Sequence, residues 1–238
     1  MKALPAILAA LASVGCAANF DRASMEEKLW DGDPLFTDQD VEWVERLKPQ
    51  LAIPFRLAVA PPIREEYGVP PDPARSHAEI RAWAEPLLKS GVVSEVLVLP
   101  RMLLRTPVQG RHTHDYFKAV RVAAARVQAD AVLFLTSVTE VEAYTNPLCL
   151  LDATLIGMLV SPGHHREALT LVEGVLLDNR NEYVYWTGMT EGKGLTVGPL
   201  ATVDGRTAAR ESRSDALRAF GALLAQEAPR LRTSGTGK

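Results

Sequence analysis

Two histidine pairs, His112-x-His114 and His164-His165, are the side chains whose type and spacing best suit chemistry. Imidazole nitrogens bind zinc and copper, and two such pairs that converged would form a metal site. Neither pair has the helical ligand spacing of H-E-x-x-H, and no C-x-x-C occurs. Both pairs fall in segments read as loops, where an exposed or locally hydrogen-bonded imidazole is the simpler account. Gly188 to Gly194, with Lys193, superficially resembles a phosphate loop. That motif needs four residues between its glycines and a hydroxyl after the lysine, to cradle phosphate and hold magnesium. Here three residues separate Gly188 from Gly192, and Gly194 follows Lys193, so the segment reads as a flexible strand exit.

Glu65-Glu66, Asp152 and Asp178 are not related by any spacing that sets the separation a hydrolytic carboxylate pair requires. Asp178 belongs to the turn Asp178-Asn179-Arg180-Asn181. Asp152 lies in an apolar run, where a carboxylate needs either a partner or a locally solvated strand face. No serine sits in G-x-S-x-G, which disfavours an α/β-hydrolase. Binding is better served. Arg101, Arg105, Arg111, His112 and His114 follow one another with no acidic residue until Asp115. Guanidinium forks suit carboxylates and phosphates on a partner; the alternative is a merely solvated loop. A formal net charge of −3 argues against a nucleic-acid partner, which would need a basic field.

The elements that position these residues alternate at first and then run as strands. Thr37 or Asp38 can cap a short helix with Val41, Val44 and Leu47 on one face, stopped by Pro49. Phe55 to Ala60 reads as a strand closed by Pro61-Pro62. Ser76 and Glu79 form a capping-box pattern, and Ile80, Trp83, Leu87 and Leu88 continue at helical spacing. Pro86 is expected to kink or restart that helix, and Gly91 to end it in a left-handed cap. A strand follows over Val92 to Leu99, then the basic loop of residues 100–113. The next helix, His114 to Gln128, should bury Phe117, Val120, Ala124 and Val127. Ala131 to Glu142 is a strand whose start is apolar on both faces, hence central. Three further strands are expected at about 148–160, 167–178 and 183–190, with a loop from Gly192 to Gly205. A last amphipathic helix, about 205–227, buries Leu217, Phe220 and Leu224. The order β-α-β-α-β-β-β-β-α predicts an α/β fold with an α+β tendency: a single mixed β-sheet with helices packed on it.

The N-terminus departs from the rest. Lys2 precedes an apolar run from Ala3 to Val14, too short to span a bilayer comfortably and of signal-peptide length. Gly15-Cys16 follows, and the join resembles the lipobox of bacterial lipoproteins, with Ser13 where that pattern prefers leucine. The resemblance implies cleavage before Cys16 and its acylation, palmitate included; ordinary secretory cleavage after Ala18 is the alternative. Cys149 is then left without a disulfide partner and reads as a small buried hydrophobe. The expected organisation is a signal peptide over 1–15, a lipidated tether over 16–36, one α/β domain over 37–228 and a disordered tail over 229–238. Ala17 and Ala18 are not acidic, which by resemblance to enterobacterial sorting implies the outer membrane, facing the periplasm.

Three segments carry a wider resemblance. They are Phe55 to Pro62, Ala129-Asp130-Ala131 leading into an apolar strand, and Val175 to Arg180 leading to Tyr183-Val184-Tyr185-Trp186. The last resembles a D-x-R-x-G-x-x-x-W hairpin in which Asn181-Glu182 replaces the turn glycine. In this order they resemble the envelope lipoprotein domains that include the TolB N-terminal domain, the penicillin-binding-protein activators and the curli secretion lipoprotein CsgG. They also resemble rhombotarget lipoproteins, although the end Thr233 to Lys238 lacks their Gly-Gly sorting tail. The resemblance implies a non-catalytic interaction or scaffold module with envelope protein partners and no cofactor. Two alternatives stand beside it. One is an envelope enzyme or metal-binding protein using His112/His114 and His164/His165. The other is a subunit of a secretion or assembly complex.

Overall fold

An apolar run broken only by Arg56 makes Phe55–Ala60 the strand β1, flanked by two parallel neighbours. These are β2 (Val93–Val98) and β3 (Ala131–Thr145). β3 pairs antiparallel along its whole length with β4 (His164–Asp178), which pairs antiparallel with β5 (Val184–Gly198). The result is one mixed five-stranded sheet in the order β2-β1-β3-β4-β5, with helices packed on it. The helices are α1 (Arg22–Leu29), α2 (Asp38–Glu45), α3 (Pro73–Lys89), α4 (Thr113–Arg126), α5 (Leu155–Val160) and α6 (Gly205–Ser234). Short 3-10 turns cover Arg101–Leu104 and Pro147–Ala153. The computed structural model describes residues 18–29, 38–60, 62, 73–104 and 113–234.

The strand period of two divides the core. Leu57, Val59, Leu133, Leu135, Val172 and Leu176 face α3 and α6, which bring Ile80, Ala84, Leu87, Leu217, Phe220 and Leu224. Ala58, Ala60, Val132 and Phe134 face α4, which brings Val120, Ala123 and Ala124. The far half of that second face is closed by the N-terminal segment. Phe20 and Met25 bury against Val138, Leu169 and Leu171. Residues 18–29 are therefore packed structure, where a tether was expected.

Several expectations change. Residues 148–160 are not a strand: they form the 3-10 turn and α5, joined between β3 and β4. Gly192 to Gly198 is the second half of β5, not a loop. A Cβ on Gly192 would lie 2.2 Å from Ala216 N, and one on Gly194 2.0 Å from Ala208 O. These glycines let α6 seat its backbone on the sheet. α3 starts at Pro73, so Ser76 lies inside the helix rather than at its cap, and Glu79 accepts a hydrogen bond from Ser214 of α6 at 2.5 Å. The helix continues through Pro86 and ends as expected, with Gly91 at φ 67°. Leu88 and Phe117 are partly exposed, though Phe117 lies against Phe134 with ring centroids 4.6 Å apart. α6 passes Pro229 to Ser234 and buries Leu231, where a disordered tail was expected from residue 229.

Candidate functional site

The motifs of the wider resemblance meet at one end of the sheet, and there they are structural. Asp130 accepts from the Arg56 amide at 3.0 Å and from the Arg180 guanidinium at 2.9 Å. Fully buried Asp178 accepts from the Arg180 amide at 3.0 Å and from the Tyr185 hydroxyl at 3.3 Å. Tyr185 in turn accepts from the amides of Gln50 and Leu51 at 2.7 and 2.9 Å. Burial, and the nearby Asp178 carboxylate, push the Tyr185 phenol above its ordinary range, while the two amides oppose this. Arg121 donates to the carbonyls of Asn179 and Arg180 and pairs with Glu182. Glu182 holds φ 65°, the left-handed conformation for which the turn glycine of the resembling hairpin is suited. Each charged group here satisfies a turn or strand end, so the cluster joins β1, β4 and β5 rather than offering a site.

The basic residues are placed only in part. Arg101 opens the 3-10 turn after β2, and His114 is the second residue of α4. Arg105, Arg111 and His112 lie outside the described residues, as do Cys16, the signal peptide and Glu65-Glu66.

His164 and His165 open β4 and, as strand neighbours, project to opposite faces. His164 Nε2 lies 2.6 Å from Asp152 Oδ2. His165 stacks on Tyr144 with centroids 4.9 Å apart, and its Nε2 lies 2.9 Å from Asn146 Nδ2. Because an amide NH₂ only donates, His165 Nε2 accepts that bond, and a neutral ring then carries its proton on Nδ1. Burial and neighbouring His164 hold the His165 imidazole below its ordinary pKa, which favours that neutral form. The pair does not converge, and among the described residues no three His, Cys, Asp or Glu side chains come together to hold a metal ion.

What these residues do instead is brace the segment between β3 and β4. The Asn146 amide N–H donates to the Gly163 carbonyl at 2.9 Å, closing the base of the excursion. The Asn146 side chain accepts from Leu148 N at 2.9 Å and donates to the Pro162 carbonyl at 3.1 Å. Thr154 Oγ1 caps α5 by accepting from Gly157 N at 3.0 Å, and Ser161 Oγ donates to the Leu148 carbonyl at 2.8 Å. Cys149 is a free, half-buried cysteine, and its backbone lies over Gly163. On this polar frame sits an apolar surface: Leu150 (78% exposed), Leu151 (49%), Leu155 (73%), Ile156 (74%), Leu159 (54%) and Val160 (66%). Clustered exposure of this kind marks an interaction surface, whereas singly scattered apolar residues do not. Sequence reading missed it because a short apolar run is ambiguous between strand and helix. The available signal was Asn146-Pro147 and Thr154, a pair of turn and cap residues bracketing the run.

The described residues thus define a mixed-sheet α/β domain with a braced apolar tip at one end. No family model matches the chain, and no curated protein matches it. Among solved structures it is similar to lipoprotein GNA1162 from Neisseria meningitidis, at 16% identity and TM-score 0.35, over 74% of this chain and 99% of that one. It is similar to the LpoB C-terminal domain from Salmonella enterica at 10% identity and TM-score 0.32, over 72% and 98%. It is similar to the PelC dodecamer from Paraburkholderia phytofirmans at 16% identity and TM-score 0.33, over 75% and 90%.

Proposed function

We propose that this chain is a lipid-anchored, non-catalytic envelope lipoprotein that acts as a protein-interaction or scaffold module. The anchor is an acylated Cys16, and the location is the outer membrane, facing the periplasm. The observation that carries the reading is the join between the lipobox-like Gly15-Cys16 and a domain that begins packing at once. Phe20 is already buried, and the Asn19 amide donates to Glu142 at 2.8 Å. An acyl group at Cys16 would hold the domain close against its membrane, because a three-residue link reaches at most about 10 Å. The divergence of His164 from His165 and the structural use of Asp130, Asp178 and Asp152 favour a binding role over an enzymatic one. Mass spectrometry of the mature protein tests the anchor. A chain beginning at acylated Cys16 is expected, and an unacylated chain beginning at Asn19 overturns the lipoprotein reading while leaving export intact.

A further inference from the structure

We propose that the excursion over residues 147–160 dips into the surface of the bilayer that holds the Cys16 lipid, giving the domain a second membrane contact. The inference rests on the anchor proposed above. Three observations select a lipid surface as the occupant.

The first is chemistry. Within residues 147–160, Asp152 is the sole charged residue, and its Oδ2 is taken up by His164 at 2.6 Å. The large exposed side chains are Leu150, Leu151, Leu155, Ile156, Leu159 and Val160, all aliphatic. Ala153 and Thr154 are exposed between them, and the Thr154 hydroxyl is taken up by Leu151 O and Gly157 N. An interfacial segment requires such a face.

The second is backbone satisfaction. Peptide groups entering lipid must be hydrogen-bonded internally. Here Cys149 N donates to Asn146 O at 3.0 Å, Thr154 N to Leu151 O at 3.0 Å, Met158 N to Thr154 O at 3.0 Å and Ser161 N to Gly157 O at 2.7 Å. Side chains of Asn146, Thr154 and Ser161 cap the turns between them.

The third is position. Asn19 is bonded to Glu142, and β3 ends three residues later at Thr145, where the excursion begins. That is about 10 Å of strand. Cys16 precedes Asn19 by three residues, another ~10 Å at most. A lipid on Cys16 would therefore lie within about 20 Å of the strand end that bears the tip. Leu200, in the turn after β5, is exposed at the same end of the sheet, since Gly198 pairs with His164. No described helix is long and apolar enough to cross a membrane, and a tip this short lies in the interface.

The test uses the full chain, purified from membranes and reconstituted in vesicles of phosphatidylethanolamine and phosphatidylglycerol. A nitroxide is placed at Leu155→Cys in a Cys149→Ala background, with Thr187→Cys, near the other end of β5, as control. Both variants are first checked for unchanged circular dichroism. The label at 155 is expected to favour dissolved oxygen over a water-soluble nickel chelate, at a depth of about 5–10 Å below the headgroups. The label at 187 is expected to favour the chelate. A label at 155 as open to the chelate as that at 187 overturns the proposal. So does a label at 155 shielded from both probes without vesicles, which would mean that a second copy covers the tip. Mass spectrometry of the same sample separates the two readings. If Cys16 is bare, the anchor fails, and the 155 label on chain mixed with vesicles still decides whether the tip enters lipid.

Discussion

Single residues in this fold hold conformations that their types do not favour. Gln128 ends α4 at φ 57°, where its amide donates to Ala125 O at 3.0 Å and the next amide reaches Ala124 O at 3.0 Å. This is a left-handed helix cap of the kind glycine makes without steric cost. Gln128 is exposed, and its backbone does the bonding, the amide to Ala125 O and the carbonyl accepting from Arg56 at 3.1 Å. Gln128→Gly should therefore raise unfolding stability by about 0.5–1 kcal/mol, read as a higher urea midpoint at unchanged slope. A lower midpoint would mean that the glutamine side chain contributes something its exposure conceals. Glu182 sits in the same conformation but differs in kind, because its carboxylate pairs with Arg121 and so offsets the backbone cost. The ambiguity at His164-His165 also resolves at this scale. Spacing alone allowed a metal site, and strand alternation sends one imidazole to Asp152 and the other to Tyr144 and Asn146.

Among the elements, α1 is the one whose role hydropathy conceals. Its sequence RASMEEKL has hardly any apolar face, yet Met25 is fully buried against the sheet. Polar pairs fix its edges: Arg22 with Glu191 at 2.8 Å, and Lys28 with Glu140. Exposed pairs of this kind contribute little each, so Met25 and Phe20 dominate the docking. Met25→Ala should cost roughly 2–4 kcal/mol of α1 docking. Native-state hydrogen exchange should show this as faster exchange over residues 22–29, with α3 and α6 unchanged. Equal loss of protection in α3 and α6 would show instead that α1 unfolds only with the whole domain. β5 and the excursion illustrate the reverse ambiguity. Glycine-rich Gly192 to Gly198 read as the start of a loop because glycine weakens isolated strands, yet α6 requires that bare face. Residues 148–160 read as a strand because they are apolar, yet β3 and β4 already pair to their ends, Thr145 with His164. No partner strand is left there, so the insert folds on itself.

At the scale of the whole molecule, the proposed membrane contact lies at the β3–β4 end of the sheet. The 3-10 turn that carries Arg101 follows β2, a parallel neighbour of β1, whose partner β3 runs in the same direction. We propose Arg101, Arg105, Arg111, His112 and His114 as a partner-binding stretch distinct from the apolar tip. Arg105→Glu with Arg111→Glu should weaken capture of envelope proteins by about tenfold with an unchanged melting temperature, if two charge-assisted contacts are lost. Unchanged crosslinking in cells would count against that stretch as a contact.

The sequence by itself determined the α/β class, the edges of β1, the central place of β3, the α3 cap at Gly91 and the Asp178 turn. It could do so because periodicity, proline exits and turn chemistry act within a few residues of chain. Only the tertiary structure decided that residues 18–29 dock on the sheet, with a helix over 22–29, that glycines 192 and 194 are helix seats, and that residues 148–160 are an exposed braced tip. Those outcomes depend on which surface is left uncovered once distant segments have packed, and an apolar residue reads the same along the chain whether its partner is a helix, a strand or a membrane.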